Sequence, residues 1–246
     1  MKSTITMLIE KGEVLLSRPI EPYKFTNELD VDDKLNDLEN YPHHFVLACV
    51  MDRQIKAERA WKIPYSISMK INDFSFKGLL KLSENDLLIL FQENRLHRFN
   101  ETMAKLFYKA VQKIHKDYND NASLIWKENL SSEKIAHRFL QFEGIGPKIS
   151  SMATNILARE YRIPMNDKVG IDISPDVHVR RVFTRLGLIS KNSTNEQLIN
   201  CARELNPSYP GIFDPSAWEI GRDWCRPQNP SCNHCYLNEF CPKIMN

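Results

Sequence analysis

Apolar residues recur at helical spacing along most of the chain. Ile149, Met152, Ala153, Ile156 and Leu157 fall at i, i+3, i+4, i+7 and i+8, the spacing of one buried helix face. Val179, Val182, Phe183 and Leu186 repeat the pattern in a helix that starts near Asp176. Ile135, Phe139 and Leu140 mark a helix that Ser131 or Ser132 can cap and that stops at Gly144-Ile145-Gly146-Pro147. Pro42 opens a helix with Phe45, Ala48 and Cys49 on one side. From Leu80 to Tyr118, Leu87, Leu88, Leu90 and Phe91, then Phe107, Val111 and Ile114, predict two or three short helices. Strand-like alternation is scarce, and no Asn-Gly or Asp-Gly joins two apolar runs. The pattern therefore predicts an all-α fold. Two stretches read as irregular. Residues 1–40 turn acidic toward their end, with Asp30, Asp32, Asp33, Asp37 and Glu39, and residues 160–175, with Pro164 and Pro175, read as a long connection.

Composition narrows the class without naming it. The 246 residues suffice for one large domain or two small ones sharing a core, and 42% hydrophobic with 26% charged is ordinary for a globular protein. Eight glycines and no long Pro/Gly/Ser tract argue against a disordered linker. The net charge of +2 does not by itself suggest nucleic acid, so any such contact must come from local clustering. The longest apolar run, Phe45–Met51, is far short of the roughly 20 residues of a membrane span. The apolar stretch before Glu10 is too short for a secretory signal. The expectation is a soluble intracellular monomer, in the cytoplasm, nucleoid or nucleus.

Four of the six cysteines crowd the C-terminal end as Cys225-x6-Cys232-x2-Cys235-x5-Cys241. A tight cluster in an intracellular chain points to metal rather than to a disulfide framework. Four thiolates suit a tetrahedral zinc or a [4Fe–4S] cluster. Zinc modules usually pair two short knuckles, and only one is present here. Cys49 and Cys201 sit in apolar helical surroundings and read as core.

Three further segments carry chemistry. In Phe142-Glu143-Gly144-Ile145-Gly146-Pro147-Lys148, two glycines flank one apolar residue, which permits a tight turn with positive φ. Such a turn is either an ordinary helix connection or an array of N–H groups at a helix N-terminus that binds an anion. Lys148 starts the second helix, where the positive dipole end favours a neutral, nucleophilic amine; the alternative is a solvated lysine touching phosphate. Asp176 is placed to cap its helix, and a carboxylate there could also stabilise positive charge. Arg180, Arg181 and Arg185 crowd one side of that helix, either solvated or facing phosphate.

The cysteine spacing is similar to the C-terminal cluster loop of the endonuclease III family, and Trp218-Glu219-Ile220-Gly221-Arg222 resembles the helix leading into it. Gly144–Lys148 resembles the hairpin of helix–hairpin–helix DNA glycosylases, and Asp176-Val177-His178 their catalytic aspartate motif. The resemblance implies an HhH-GPD fold of two helical lobes. One, residues 41–160, carries the hairpin; the other, 1–40 with 161–246, carries the cluster loop at 225–241. It implies a [4Fe–4S] cluster on Cys225, Cys232, Cys235 and Cys241. It implies Lys148 and Asp176 as the catalytic pair. DNA contacts would come from Gln54, Gly144, Ile145, Gly146, His178, Arg180 and Arg181, with Gln54 filling the gap left by a flipped nucleotide. The partner would be double-stranded DNA holding a damaged or mismatched base. The reaction would be base excision, oxidised pyrimidine being the first expectation, with AP lyase cleavage through a Lys148 Schiff base. A monofunctional mismatch or uracil glycosylase, a non-catalytic iron–sulfur DNA-binding protein and a zinc-stapled interaction domain are the alternatives. One departure stands out. The interval from Lys148 to Asp176 is longer than in the family, so Glu160–Ser174 is expected to loop out. The loop Arg226–Ser231 is also less basic than the family's.

Overall fold

A computed structural model describes residues 3–244; Met1, Lys2, Met245 and Asn246, which end the predicted second lobe at both termini, lie outside the described residues. Among the described residues there is no strand, and the fold is all-α as expected. The helices are α1 (Thr4–Ser17), α2 (Leu29–Asn36), α3 (Pro42–Met51), α4 (Ala57–Ile71), α5 (Phe76–Leu80), α6 (Glu84–Glu93), α7 (Asn100–Tyr118), α8 (Ser132–Leu140), α9 (Pro147–Arg159), α10 (Val177–Arg185), α11 (Asn195–Leu205) and α12 (Phe213–Asp223). They group into two compact units.

The first unit comprises Ile20–Leu130 and His137–Ala153. Its centre is α3, in which every residue from Pro42 to Met51 is buried, so the one-sided face expected there is a helix apolar all round. Phe45 gathers the rings of Phe25, Trp61, Trp126 and Phe139 about itself. α4 and α7 pack on α3, and α6 packs on α7. α7 runs 19 residues, so residues 80–118 hold one long helix rather than only short ones. The acidic stretch after residue 28 is also not irregular. It forms α2, because Asp32 turns inward and accepts from the Thr26 N–H at 2.8 Å, the Thr26 hydroxyl at 2.8 Å and the Asn27 N–H at 3.1 Å. A carboxylate satisfied by three donors is tolerated in a buried place where an unpaired one is not.

The second unit comprises the described residues of Met1–Pro19, Ser131–Ala136 and Thr154–Asn246. α12 lies at its centre, packed on α10 and α1. Leu8, Val182, Phe183, Leu198, Phe213, Ile220 and Leu237 form one buried cluster. Ser131 is the residue that caps α8, accepting the Lys134 N–H at 3.3 Å, while the Ser132 hydroxyl turns to Asp167 at 2.6 Å. The segment from 160 to 174 does not loop out. Ile171 and Ile173 are fully buried, Glu160 is buried between Arg18 and Arg159, and the Gly211 N–H donates to the Ile171 carbonyl at 2.7 Å. Apolar Ile171 and Ile173 pull the added residues into the core, which charge and proline content alone did not reveal.

Candidate functional site

In the first unit, the turn after α8 is built on one glycine rather than two. Gly144 has φ of +97°, and a Cβ on it would stand 2.9 Å from Cδ1 of Leu106. Gly146 lacks a left-handed φ and faces open space, with nothing within 4 Å of an added Cβ. Ile145 is buried at 7% exposure, and its N–H returns to the Phe142 carbonyl at 3.0 Å. Ile145 is thus the plug of the turn. The amides of Gly146, Lys148 and Ile149 precede the first backbone bond of α9, which runs from the Ser150 N–H to the Gly146 carbonyl at 3.0 Å. Lys148 is exposed in that turn.

The α3–α4 connection lies within electrostatic reach of Lys148. Burial pushes the Asp52 carboxyl up, and the Lys148 ammonium opposes the shift. Two residues on, Gln54 is exposed and left-handed, with φ of 56°. A glutamine in that conformation is strained, and strain of this kind gathers at functional sites.

In the second unit, Asp176 caps α10, accepting the Val179 N–H at 2.7 Å. Val177, next to it, is 70% exposed, and Trp218 on α12 is 39% exposed with the Arg222 guanidinium 4.3 Å from its ring centroid. His178 is half-buried. Its ring meets Trp218 edge-on, Nδ1 lies 3.1 Å from Nη2 of Arg181, and a Cβ on Gly221 would sit 2.6 Å from its Cβ. Gly221 therefore lets α12 touch the start of α10.

The arginines hold the fold. Arg181 donates from Nε to the Cys225 carbonyl and from Nη2 to the Gly221 carbonyl, both at 2.6 Å. Arg180 bonds the Ser193 carbonyl and Asn195. Arg185 donates to Cys225 Sγ at 3.3 Å, to the Arg226 carbonyl at 2.7 Å and to the Pro227 carbonyl at 3.0 Å.

Cys225, Cys232, Cys235 and Cys241 line one cavity whose apolar wall is Val182, Leu186, Ile220 and Leu237. Among the described residues no group of three or more His, Cys, Asp or Glu side chains converges as a single ion would need. A tetrahedral zinc would bring its sulfurs to about 4 Å from one another. A [4Fe–4S] cluster would also take four thiolates. Two N–H···S contacts, from Arg185 to Cys225 and from the Lys243 amide to Cys241 at 3.4 Å, suit sulfurs that carry negative charge. Burial pushes the Cys235 and Cys241 thiols up, and Cys225 and Cys232 add to it.

No family model matches the chain. Endonuclease III of Thermotoga maritima is 24% identical over 209 residues, 84% of this chain and 85% of that protein. A solved thermostable thymine-DNA glycosylase superposes with a TM-score of 0.62 at 14% identity, covering 96% of this chain and 94% of that one. A trapped endonuclease III–DNA covalent intermediate superposes with a TM-score of 0.57 at 16% identity, covering 87% and 92%. The chain has the all-α fold of these helix–hairpin–helix DNA glycosylases.

The marked residues divide between the two units. Gln54, Gly144, Ile145, Gly146 and Lys148 belong to the first; Asp176, His178, Arg180, Arg181 and the four cysteines belong to the second. Sequence reasoning missed Asp52 and Asp214. Asp52 was legible as the charged residue ending the apolar run Phe45–Met51. Asp214 had no signal beyond its place in the first turn of α12.

Proposed function

We propose that the protein is a DNA glycosylase of the endonuclease III type with AP lyase activity, acting on double-stranded DNA that carries a damaged base. The observation that carries this reading is the exposed Lys148 in the first turn of α9, behind a glycine turn and within electrostatic reach of a partly buried Asp52. The fold shared with solved DNA glycosylases and the likeness to endonuclease III of Thermotoga maritima support the glycosylase class. The amides of Gly146 and the first turn of α9 take a DNA phosphate, which fixes register without reading sequence. Gln54 fills the stack that the extruded nucleotide leaves.

The neutral Lys148 amine attacks C1′, the glycosidic bond breaks, and the base departs with the electron pair. The amine loses a proton, the C1′–O4′ bond breaks with its electron pair going to O4′, which is protonated, and the C1′=N bond of the Schiff base forms; removal of a C2′ proton then expels the 3′ phosphate by β-elimination. Asp176 supplies negative charge against the positive charge developing on the sugar. Cys225, Cys232, Cys235 and Cys241 would hold a [4Fe–4S] cluster, which supplies a rigid structural centre when bound. An oxidised pyrimidine is the substrate class that the endonuclease III likeness favours.

The test is a panel of duplexes, each with one lesion, incubated with borohydride and wild type or Lys148→Gln. The expected result is a covalent adduct on one lesion class with wild type and none with the variant. Base release without an adduct would reduce the protein to a monofunctional glycosylase. Binding without any base release would remove the enzymatic reading.

A further inference from the structure

Asp214 stands in the first turn of α12, and its Oδ1 accepts the Ser174 N–H at 2.8 Å. The Ser174 carbonyl accepts the Asp176 N–H at 2.8 Å, and Asp176 in turn caps α10. A continuous chain of hydrogen bonds thus runs from α12 through Ser174 to Asp176. No regular element supports this stretch, since residues 160–176 are outside any helix. Where Asp176 points therefore depends on such tethers. The charged groups facing Asp214 are Arg159 from α9 and Asp176 itself, and Tyr209, ahead of α12, is affected by its charge.

We propose that Asp214 is a positioning residue for Asp176: through the Ser174 N–H it anchors the turn that presents Asp176, and it forms a second carboxylate behind the first. This rests on the role given above to Asp176. Burial pushes Asp214 up to about 7, with the Asp176 charge adding to the shift and Arg159 opposing it. Ionised, Asp214 holds the Ser174 N–H by a charge-assisted bond; protonated, it holds it more weakly.

The test is single-turnover base release against pH for wild type and Asp214→Asn, whose amide oxygen can still accept the Ser174 N–H. Wild type should show an acid limb centred near 7. The variant should lack that limb and run about fivefold slower than wild type on the alkaline side, the size expected from replacing a charge-assisted bond by a neutral one. Duplex affinity should not change. Asp214→Ser, a second uncharged variant, should lose the same limb, which keeps the test open should the first variant fold poorly. A limb that persists in both variants, or a loss that falls in affinity instead of rate, overturns the inference. Asp176→Asn separates the two readings. If it keeps full base release, the role of Asp176 is wrong. If it abolishes release while Asp214→Asn matches wild type, only the positioning role of Asp214 is wrong.

Discussion

The two glycines of the hairpin, alike in sequence, should respond to alanine in opposite ways. At Gly144, alanine must adopt φ near +97° and must displace Leu106, whose Cδ1 would lie 2.9 Å from the new methyl. A non-glycine residue held in such a region costs about 1–3 kcal/mol. Leu106 is a flexible side chain at 5% exposure and can shift, so the steric part adds little to this range. In a chain of this length each kcal/mol moves the melting temperature by roughly 2–4 °C, so Gly144→Ala should melt roughly 2–12 °C below wild type. At Gly146, the methyl meets nothing within 4 Å and the backbone needs no left-handed φ. Gly146→Ala should therefore melt with wild type. It should bind duplex DNA more weakly, because the methyl occupies the space through which a phosphate would approach the amides. Circular dichroism melts and fluorescence anisotropy with a short duplex read the two effects separately. Equal melting losses in both variants, or a Gly146→Ala protein with unchanged affinity, would refute the division of labour between turn and contact surface.

Other substitutions test the remaining parts. Arg185→Met removes the contacts to Cys225 Sγ and to the Arg226 and Pro227 carbonyls; it should destabilise the loop by about 1–3 kcal/mol and lower the iron retained on purification. Asp52→Asn should slow borohydride trapping by on the order of 100-fold if the carboxylate takes the Lys148 proton, with duplex affinity unchanged. Burial lowers His43 from 6.5 to about 4, so the unfolded chain binds a proton that the folded one refuses. Stability should fall as pH drops from 6.5 toward 4, by about 3 kcal/mol from this residue, seen in melts across that window. Asp214 has the opposite sign. Its folded value is raised, so its contribution is present at low pH and is lost as pH rises through about 7. Asp214→Asn should match wild type only below pH 3.8, where the carboxyl is protonated in the folded and the unfolded chain, and melt higher at pH 8.

Much of this was legible because periodic apolar residues and capping chemistry are local. The faces of α9 and α10 follow from spacing alone, and Asp176 as the cap of α10 follows from one residue type before one apolar run. The four cysteines identify themselves by proximity in sequence and line one cavity. What was not legible depends on distant partners. The acidic run became α2 because Asp32 found donors in the preceding turn. The 160–174 segment was drawn inward by Ile171 and Ile173, and Asp172 within it is held by Arg203 through two hydrogen bonds of 2.6 and 2.7 Å. Arg180 and Arg181 read as surface charge, yet backbone carbonyls from other segments occupy their donors.

The placement of α1 has a consequence for biosynthesis. Leu8 is fully buried, and its carbonyl accepts the hydroxyl of Ser216, 208 positions later. On the ribosome, α1 emerges early and meets α12 only when most of the chain has been made. Ile20–Leu130, by contrast, is a continuous stretch that can begin to collapse while the rest is still being translated. Until α12 arrives, the apolar side of α1 lacks that native cover, which leaves the nascent helix open to chaperone capture and to aggregation.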